Sequence, residues 1–347
     1  MRERLLEWIV CPRCQGSLAP TVRHAPSHEI IEGELACRSC GRTYPIRAGV
    51  PRLLATVRDP RTAKSFGFEW TRVAVTEFEE DVVTFFRKTG LDDRVYASVP
   101  LHERTYPTTR ELPFAPDGSR LSGKLVLDAG CGMGRYLNVA ASYGGELIGM
   151  DVSDSVERAA RLLADKPNVH LVQGDLFAPP FRAGTFDYIY SIGVLHHTPD
   201  PAGAFRSVAS LCRPGGTCSV HVYPPQFWLD PIRGSITKAL RQVTVRLPHD
   251  ALLWLCERVA LPLGLLQMRL AERWFGKVIG APLFLVTIPR HRRSGVIVGD
   301  TFDTYSARYI HTYTPDDVVG WFRASGFDAV EAMPYPTTVA GRRGMSG

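Results

Sequence analysis

The chain has 347 residues, 45% hydrophobic, 10% aromatic and 22% charged, with a formal net charge of +6 from 41 Lys and Arg against 35 Asp and Glu. Such a composition can bury a full core, which excludes collagenous, low-complexity and disordered classes, and the length suits an enzyme domain with one accessory module. The charge is uneven: residues 1–60 hold 9 basic and 6 acidic side chains and residues 223–300 hold 11 and 5, while the other segments are each one unit negative.

Near the start, Leu5, Leu6, Trp8, Ile9 and Val10 are interrupted by Glu7 and are too few for the core of a secretory signal. The longest uncharged apolar stretches, 259–268 and 278–289, fall short of the roughly 18 to 20 residues that span a bilayer. A cytoplasmic location is therefore expected, where cysteines serve as thiols or metal ligands and not as disulfides.

Four of the eight cysteines form two matched pairs, Cys11-Pro12-Arg13-Cys14 and Cys37-Arg38-Ser39-Cys40. Two thiolates two residues apart on a tight turn can face one ion, and two such knuckles complete a tetrahedral zinc shell. With all four positions filled by Cys11, Cys14, Cys37 and Cys40, none is left for water, so the Zn2+ is expected to be structural. The alternatives are reduced thiols in a β module without metal, or a redox dithiol, for which no βαβ pattern is present.

The run 5–14, the run Cys37-Arg38-Ser39-Cys40-Gly41-Arg42-Thr43-Tyr44-Pro45-Ile46 and the triplet Gly49-Val50-Pro51 resemble the zinc-ribbon activator subunit of tRNA and protein methyltransferases over about residues 1–55. The resemblance implies a module that activates or stabilises a methyltransferase. Residues 56–123 are expected to be a linker and N-terminal helices over the cofactor site. Within them, Phe66-Gly67-Phe68-Glu69-Trp70 reads as an aromatic clamp on a cofactor or as interdomain packing.

Next comes an alternation of strands and helices, the pattern of a doubly wound parallel sheet. Leu125-Val126-Leu127 ends at Asp128-Ala129-Gly130-Cys131-Gly132-Met133-Gly134-Arg135, a glycine turn that lets backbone N–H groups approach a ligand before a helix starts. A second strand, 147–150, ends at Asp151 and Val152, where a carboxylate can accept ribose hydroxyls. A third, 169–172, ends in Gly174-Asp175-Leu176. A fourth, 186–190, ends in Ser191-Ile192-Gly193-Val194-Leu195-His196-His197, and a fifth, 217–222, follows Pro214-Gly215-Gly216. If parallel, all five end at one edge, where such folds bind ligands.

This block resembles the class I S-adenosylmethionine-dependent methyltransferases, in the small-molecule branch called type 11, on Asp128 to Gly134, Asp151, Gly174-Asp175, Phe186-Asp187 and Pro214-Gly215-Gly216. Its glycines alternate without the two-residue gap of the dinucleotide motif, which favours a methyl donor over NAD. The resemblance implies a Rossmann-like seven-stranded α/β sheet and S-adenosyl-L-methionine as cofactor. It implies Gly130, Gly132 and Gly134 around the methionine part, Asp151 on the ribose, and Asp175 with Leu176 at the adenine. Val152, Ser191 and Ile192, at the same strand ends, are expected to contact the cofactor as well. Asp128 either joins the site or braces the loop, and Arg135 either reaches the cofactor carboxylate or is solvated.

His196 and His197 follow the fourth strand, so either is a candidate base, with His197 favoured, or both pack in the loop. Tyr305, Arg308 and His311, in the aromatic run 302–313, are candidates for acceptor contact or a buried crossover. Absent are the Asn/Asp-Pro-Pro-Tyr/Phe box after strand four that resembling enzymes use on exocyclic or amide nitrogens, and the cysteine at the strand-four or strand-five end that cytosine C5 methylation needs, which disfavours those acceptors. Cys212 and Cys218 read as buried thiols.

Residues 223–300 read as a helical insertion after strand five, apolar at Ile232, Ile236, Leu240 and Val243 and at Leu252, Leu255, Val259, Leu263 and Leu266. It is expected to roof the acceptor pocket, with membrane-surface contact or an oligomer interface as alternatives. Its positive charge suggests an anionic acceptor meeting Arg233, Lys238 and Arg241. Thr314-Pro315-Asp316-Asp317 then caps a final helix that stops at Gly326, before two strands close the sheet. The expected activity is methyl transfer to a small-molecule or lipid-linked acceptor. The alternatives are an RNA or protein methyltransferase with a built-in activator and a non-catalytic binding protein, and the oligomeric state is open.

Overall fold

The computed structural model describes residues 1–25, 29–57, 59–73, 121–225, 231–271, 285–289, 294–333 and 337–345. Most of the linker expected over 56–123 lies outside the described residues.

Four short strands open the chain: β1 (Leu18–His24), β2 (Glu32–Cys37), β3 (Thr43–Arg47) and β4 (Val50–Leu53), paired antiparallel in sequence. The helix α1 (Pro60–Phe68) starts on Asp59, whose carboxylate accepts from the amides of Arg61 and Thr62, and runs into a π turn at Glu69–Val73.

The larger sheet contains β5 (Leu125–Ala129), β6 (Glu146–Asp151), β7 (Val169–Gly174), β8 (Phe186–Ile192) and β9 (Cys212–His221), all parallel, with β10 (Phe327–Ala332) and β11 (Thr338–Arg343) as a closing hairpin. The central strands are apolar on both faces because helices cover both. These helices are α2 (Arg135–Ala140), α3 (Ser155–Leu162), α4 (Pro201–Ala209) and, near the C-terminus, α8 (Pro315–Ala324). Helix α8 begins with a capping box between Thr314 and Asp317, as its sequence predicts.

The expected sheet had seven strands, with the ribbon as a separate module. Instead β4 pairs in parallel with β7, through Arg52 to Gln173 and Leu53 to Gly174, and the two modules form one sheet of eleven strands in the order β1-β2-β3-β4-β7-β6-β5-β8-β9-β11-β10. The reason is an otherwise open sheet edge: β7 would leave a row of backbone donors and acceptors unpaired, and β4 covers it. Arg52, only 8% exposed, bonds Gln173 Oε1 at 3.1 Å and pairs with Glu157 across the junction. The Arg2 guanidinium donates to the carbonyls of Lys166, Pro167 and Val169, and the Val10 amide donates to Pro180 O.

Apolar packing follows the same join. Leu5, Ile9, Leu35, Tyr44 and Ile46 of the ribbon share one buried cluster with Val172, Phe181, Phe186 and Ile189. A second cluster under α2 and α3 holds Leu137, Val156 and Tyr190, and a third joins Leu252 and Cys256 to Phe302 and Tyr305.

The insertion contributes α5 (Pro231–Thr244), a long helix α6 made of His249–Leu255, a π turn Cys256–Ala260 and Leu261–Ala271, and α7 (Ser294–Ser306). Read stretch by stretch, the sequence offers no segment of bilayer length. As one helix, however, 249–270 is long and apolar enough to cross a membrane by length and composition, the one such helix among the described residues.

Phe181 is 2% exposed, edge-on to Phe186 at 5.1 Å, and sits where Ile9 bridges to the larger domain. Phe181→Ala is expected to cost roughly 3–5 kcal/mol. Thermal denaturation followed by circular dichroism should show one transition at a lower Tm, ribbon and sheet melting together. Two separated transitions would contradict the shared core.

Candidate active site and metal centre

The two cysteine knuckles meet at the turn before β1 and the turn between β2 and β3. The four Sγ atoms lie within 4.8 Å of one another, with Cys11 to Cys40 at 3.8 Å and Cys14 to Cys37 at 3.5 Å. A tetrahedral zinc with bonds of about 2.3 Å requires sulfurs roughly 3.8 Å apart, so the described thiols fit the ion. Backbone hydrogen bonding at Cys40, the largest influence, helps bring the Cys37 thiol down to about 6, while Cys14 beside it is pushed up to about 12, so without an ion the pair shares a proton that a metal would displace.

The loop after β5 shows why glycine is needed there. Gly130 and Gly134 have φ of +93° and +87°. A Cβ on Gly130 would meet Val194 at 2.5 Å, and one on Gly134 would meet Leu163 at 2.6 Å. Gly132 packs under Trp70, whose ring is 3.3 Å from where its Cβ would be. The Gly132 amide donates to Asp151 Oδ2 at 3.0 Å, and Asp151 Oδ1 accepts from the Ser153 amide at 2.8 Å and its hydroxyl at 2.7 Å. Each carboxylate oxygen still has lone-pair capacity for a ribose hydroxyl.

One continuous cavity opens at the carboxyl ends of the parallel strands. Gly130, Gly132, Arg135, Asp151, Val152, Asp175, Leu176 and Ile192 line one part of it, and His197, His221, Tyr223, Asp300 and Asp303 line another. Asp59, Thr62, Phe66, Glu69 and Trp70, from α1 and the turns at its ends, also line it. The described lining holds six carboxylic side chains, Asp59, Glu69, Asp151, Asp175, Asp300 and Asp303, against one arginine, Arg135, itself 5.3 Å from the Trp70 ring centroid. Such a surface favours a cationic ligand such as a sulfonium.

His197 is 3% exposed, with Phe66 against its ring at 4.9 Å. Its Nδ1 lies 2.9 Å from Tyr309 O, and because a carbonyl can only accept, Nδ1 carries the hydrogen and Nε2 has a free lone pair. Burial lowers the His197 pKa from the ordinary histidine value, while the Asp303 charge opposes that shift. Nε2 stands 3.7 Å from Asp303 Oδ1, a buried oxygen without a hydrogen bond, and Tyr223 Oη donates to Asp303 Oδ2 at 3.0 Å. Two acceptors therefore converge on one point, which suits a ligand O–H.

Several expected site residues sit elsewhere. Asp128 is 1% exposed and does not line the cavity; its buried carboxyl lies by the Tyr190 hydroxyl. Gly134 faces α3, and Ser191 donates to Ala129 O at 2.8 Å, so neither lines the cavity. His196 is fully buried between His197 and Tyr223, with ring centroids 4.1 and 3.8 Å away and neither ring nitrogen hydrogen-bonded. Tyr305 bonds Thr287 O at 3.1 Å inside the third core cluster, and the His311 ring lies over Tyr309; both are outside the lining.

Arg233 donates to Thr287 Oγ1 and Arg241 to the carbonyls of Thr304 and Ala307, and neither they nor Lys238 line the cavity. Among the described residues the cavity lining is thus acidic, and Arg233, Lys238 and Arg241 lie outside it. Sequence reasoning missed Tyr223 and Asp303. Tyr223 lies two residues past the end of β9, a position that the sequence marks. Asp303 lies 106 positions beyond His197 on α7, and no local pattern joins them.

Residues 127–220 match the family model described as a methyltransferase domain, and residues 2–49 match that of the Trm112p-like protein. The chain carries both domains. Over 121 residues it is 36% identical to the ubiquinone biosynthesis O-methyltransferase of Aromatoleum aromaticum, covering 34% of this chain and 50% of that one. Over 104 residues it is 34% identical to the sterol 24-C-methyltransferase of Saccharomyces cerevisiae, covering 28% and 27%. The chain thus spans about half the length, or less, of these curated relatives. Among solved structures, the YcgJ protein of Bacillus subtilis is 30% identical over 34% of this chain and 52% of that one, with a TM-score of 0.31.

Two measurements check these sites. The purified protein should hold about one zinc per chain by atomic absorption, and removing it with a chelator should lower the Tm; a chain with no bound metal and an unchanged Tm would contradict the metal centre. Asp151→Ala should weaken S-adenosylmethionine binding by calorimetry at least tenfold, the loss of a charge-assisted bond worth roughly 1.5–3 kcal/mol.

Proposed function

We propose that the protein methylates a hydroxyl group on a neutral small molecule, lipid-linked in its natural form, using S-adenosylmethionine, with His197 as the base. The observation that carries this reading is the joining of the Asp151 and Asp175 strand ends to the His197 and Asp303 pair in one cavity. The matched methyltransferase domain supports the donor, which when bound supplies a methyl group on a cationic sulfur. The relatives include enzymes named for O- and for C-methylation, so the domain by itself leaves the acceptor atom open. The two converging acceptors, His197 Nε2 and Asp303 Oδ1, favour oxygen.

In this reading the acceptor O–H donates to His197 Nε2. The acceptor oxygen would take the methyl carbon as that carbon's bond to the donor sulfur breaks, the electron pair leaving with sulfur as a neutral thioether; the oxygen's proton would pass to Nε2, and the imidazolium would gain Asp303 Oδ1 as its counter-charge. Tyr223 holds that carboxylate in place. Phe66 and Trp70 exclude water above the reacting atoms, and alignment of this kind can be worth on the order of 7–11 kcal/mol. The acidic lining disfavours an anionic acceptor. Asp151 and Asp175 are proposed as the ribose and adenine contacts, with Gly130, Gly132, Arg135, Val152, Leu176 and Ile192 around them.

His197→Ala should lower kcat by about 10²–10⁴-fold with S-adenosylmethionine affinity unchanged. The base must be neutral, and burial holds its pKa below the ordinary 6.5, so kcat/KM should fall only as pH drops below that value. Asp303→Asn removes the charge that raises this pKa, so the acid limb should move to still lower pH while kcat falls. A limb unmoved in Asp303→Asn and an unchanged kcat in His197→Ala would reject the pair.

A further inference from the structure

We propose that the outward faces of α5 and α6 dock on an anionic lipid bilayer. Nine large hydrophobic side chains are exposed among the described residues, and six belong to these two helices: Ile232, Leu240, Val243, Trp254, Val259 and Leu266. Ile232 and Val243 are each 63% exposed and Trp254 is 57% exposed, although their helical spacing would ordinarily mark a buried stripe. A tryptophan left half in water is the side chain that a membrane interface accommodates best, its ring in the headgroup layer and its N–H still hydrogen-bonded.

Charge selects the occupant. Lys238, Arg258 and Arg269 are exposed on the same helices and Arg246 in the turn between them, against exposed acids Asp250 and Glu257, and Asp250 is already paired with Arg72 at 3.1 Å. Of the basic side chains of residues 223–300 that are described, Lys238, Arg246, Arg258 and Arg269 are exposed and none lines the acidic cavity, so their charge is available to a partner outside it. Basic side chains interleaved with apolar ones match a surface that offers phosphate headgroups above acyl chains.

The docking is peripheral. Helix α6 has the length of a span, but only one side of it is free: Leu252 and Cys256 are buried against Phe302 and Tyr305 of α7, and Glu257 and Arg258 interrupt its middle. It therefore lies along the interface. Helix α7 carries Asp300 and Asp303 into the cavity, so the docked face is one helix away from the proposed base. This inference goes beyond the methylation reading and stands on surface residues that take no part in it.

The full chain should co-sediment with vesicles of phosphatidylglycerol and phosphatidylcholine and not with phosphatidylcholine alone, and its binding should weaken with salt. Each basic side chain at such a surface strengthens binding roughly fivefold, so Lys238→Gln, Arg258→Gln and Arg269→Gln together should weaken it about a hundredfold. Ile232→Ser with Trp254→Ser should abolish what remains. Both variants should keep the wild-type Tm and S-adenosylmethionine affinity. The tryptophan emission should shift to the blue with vesicles in the wild type and not in Trp254→Phe.

Absent binding, equal binding to neutral and anionic vesicles, or unaltered binding by these variants would overturn the proposal. So would sedimentation velocity showing a dimer that the apolar variants dissociate, since a second copy would then cover the face. Methylation of a water-soluble hydroxyl compound without vesicles is read separately, so loss of one result leaves the other intact.

Discussion

Parallel pairing of β5 with β6 on one side and β8 on the other places every functional feature of the larger domain. The strand order reverses at β5, so the connections after β5 and β8 leave to opposite faces and open a crevice between them. The glycine turn fills that crevice with backbone, Asp151 closes it from β6, and the loop after β8 brings His197 to it. A fold that paired these strands otherwise would scatter the same residues over two faces. The cavity is thus a consequence of topology, and the side chains choose what it binds.

The ribbon takes part in the same constraint from the far edge. β7 carries Asp175 at its end, and its outer edge is completed by β4 of the ribbon. Arg52, buried at that seam, holds Gln173, Glu157 and Asp154 together, and the last two belong to the segment that follows Asp151. The Trm112p-like domain therefore acts on the larger domain as a covalent edge strand. Without β4 the edge of β7 beside Asp175 would be unpaired.

Much of this was legible in the sequence because it is local. The cysteine knuckles, the glycine turn, the strand-end aspartates and the Thr314 cap each depend on a few adjacent residues, and their spacing carries the geometry. What was not legible depends on long-range contact. Whether Asp128 faces a ligand or a tyrosine behind the loop is decided by Tyr190, and the distinction between His196 and His197 by Tyr223 and Tyr309. The apolar spacing of α5 marks an amphipathic helix, but sequence periodicity does not say whether the apolar stripe meets protein or faces outward.

The basic insertion shows the same limit in electrostatic form. Net charge located it, yet Arg233 and Arg241 are spent on a hydroxyl and on backbone carbonyls, and among the described residues the exposed Lys238, Arg246, Arg258 and Arg269 remain for a partner. The acidic cavity and the basic exterior then assign different ligands to the two sides of one helical layer. The most direct measurement of the central claim is 13C NMR of the product formed from donor labelled at the methyl group, with a phenol or catechol as the probe acceptor. The account predicts the label as a methoxy carbon, formed by the wild type and not by His197→Ala. Label on carbon or nitrogen, or equal transfer by the variant, would contradict it.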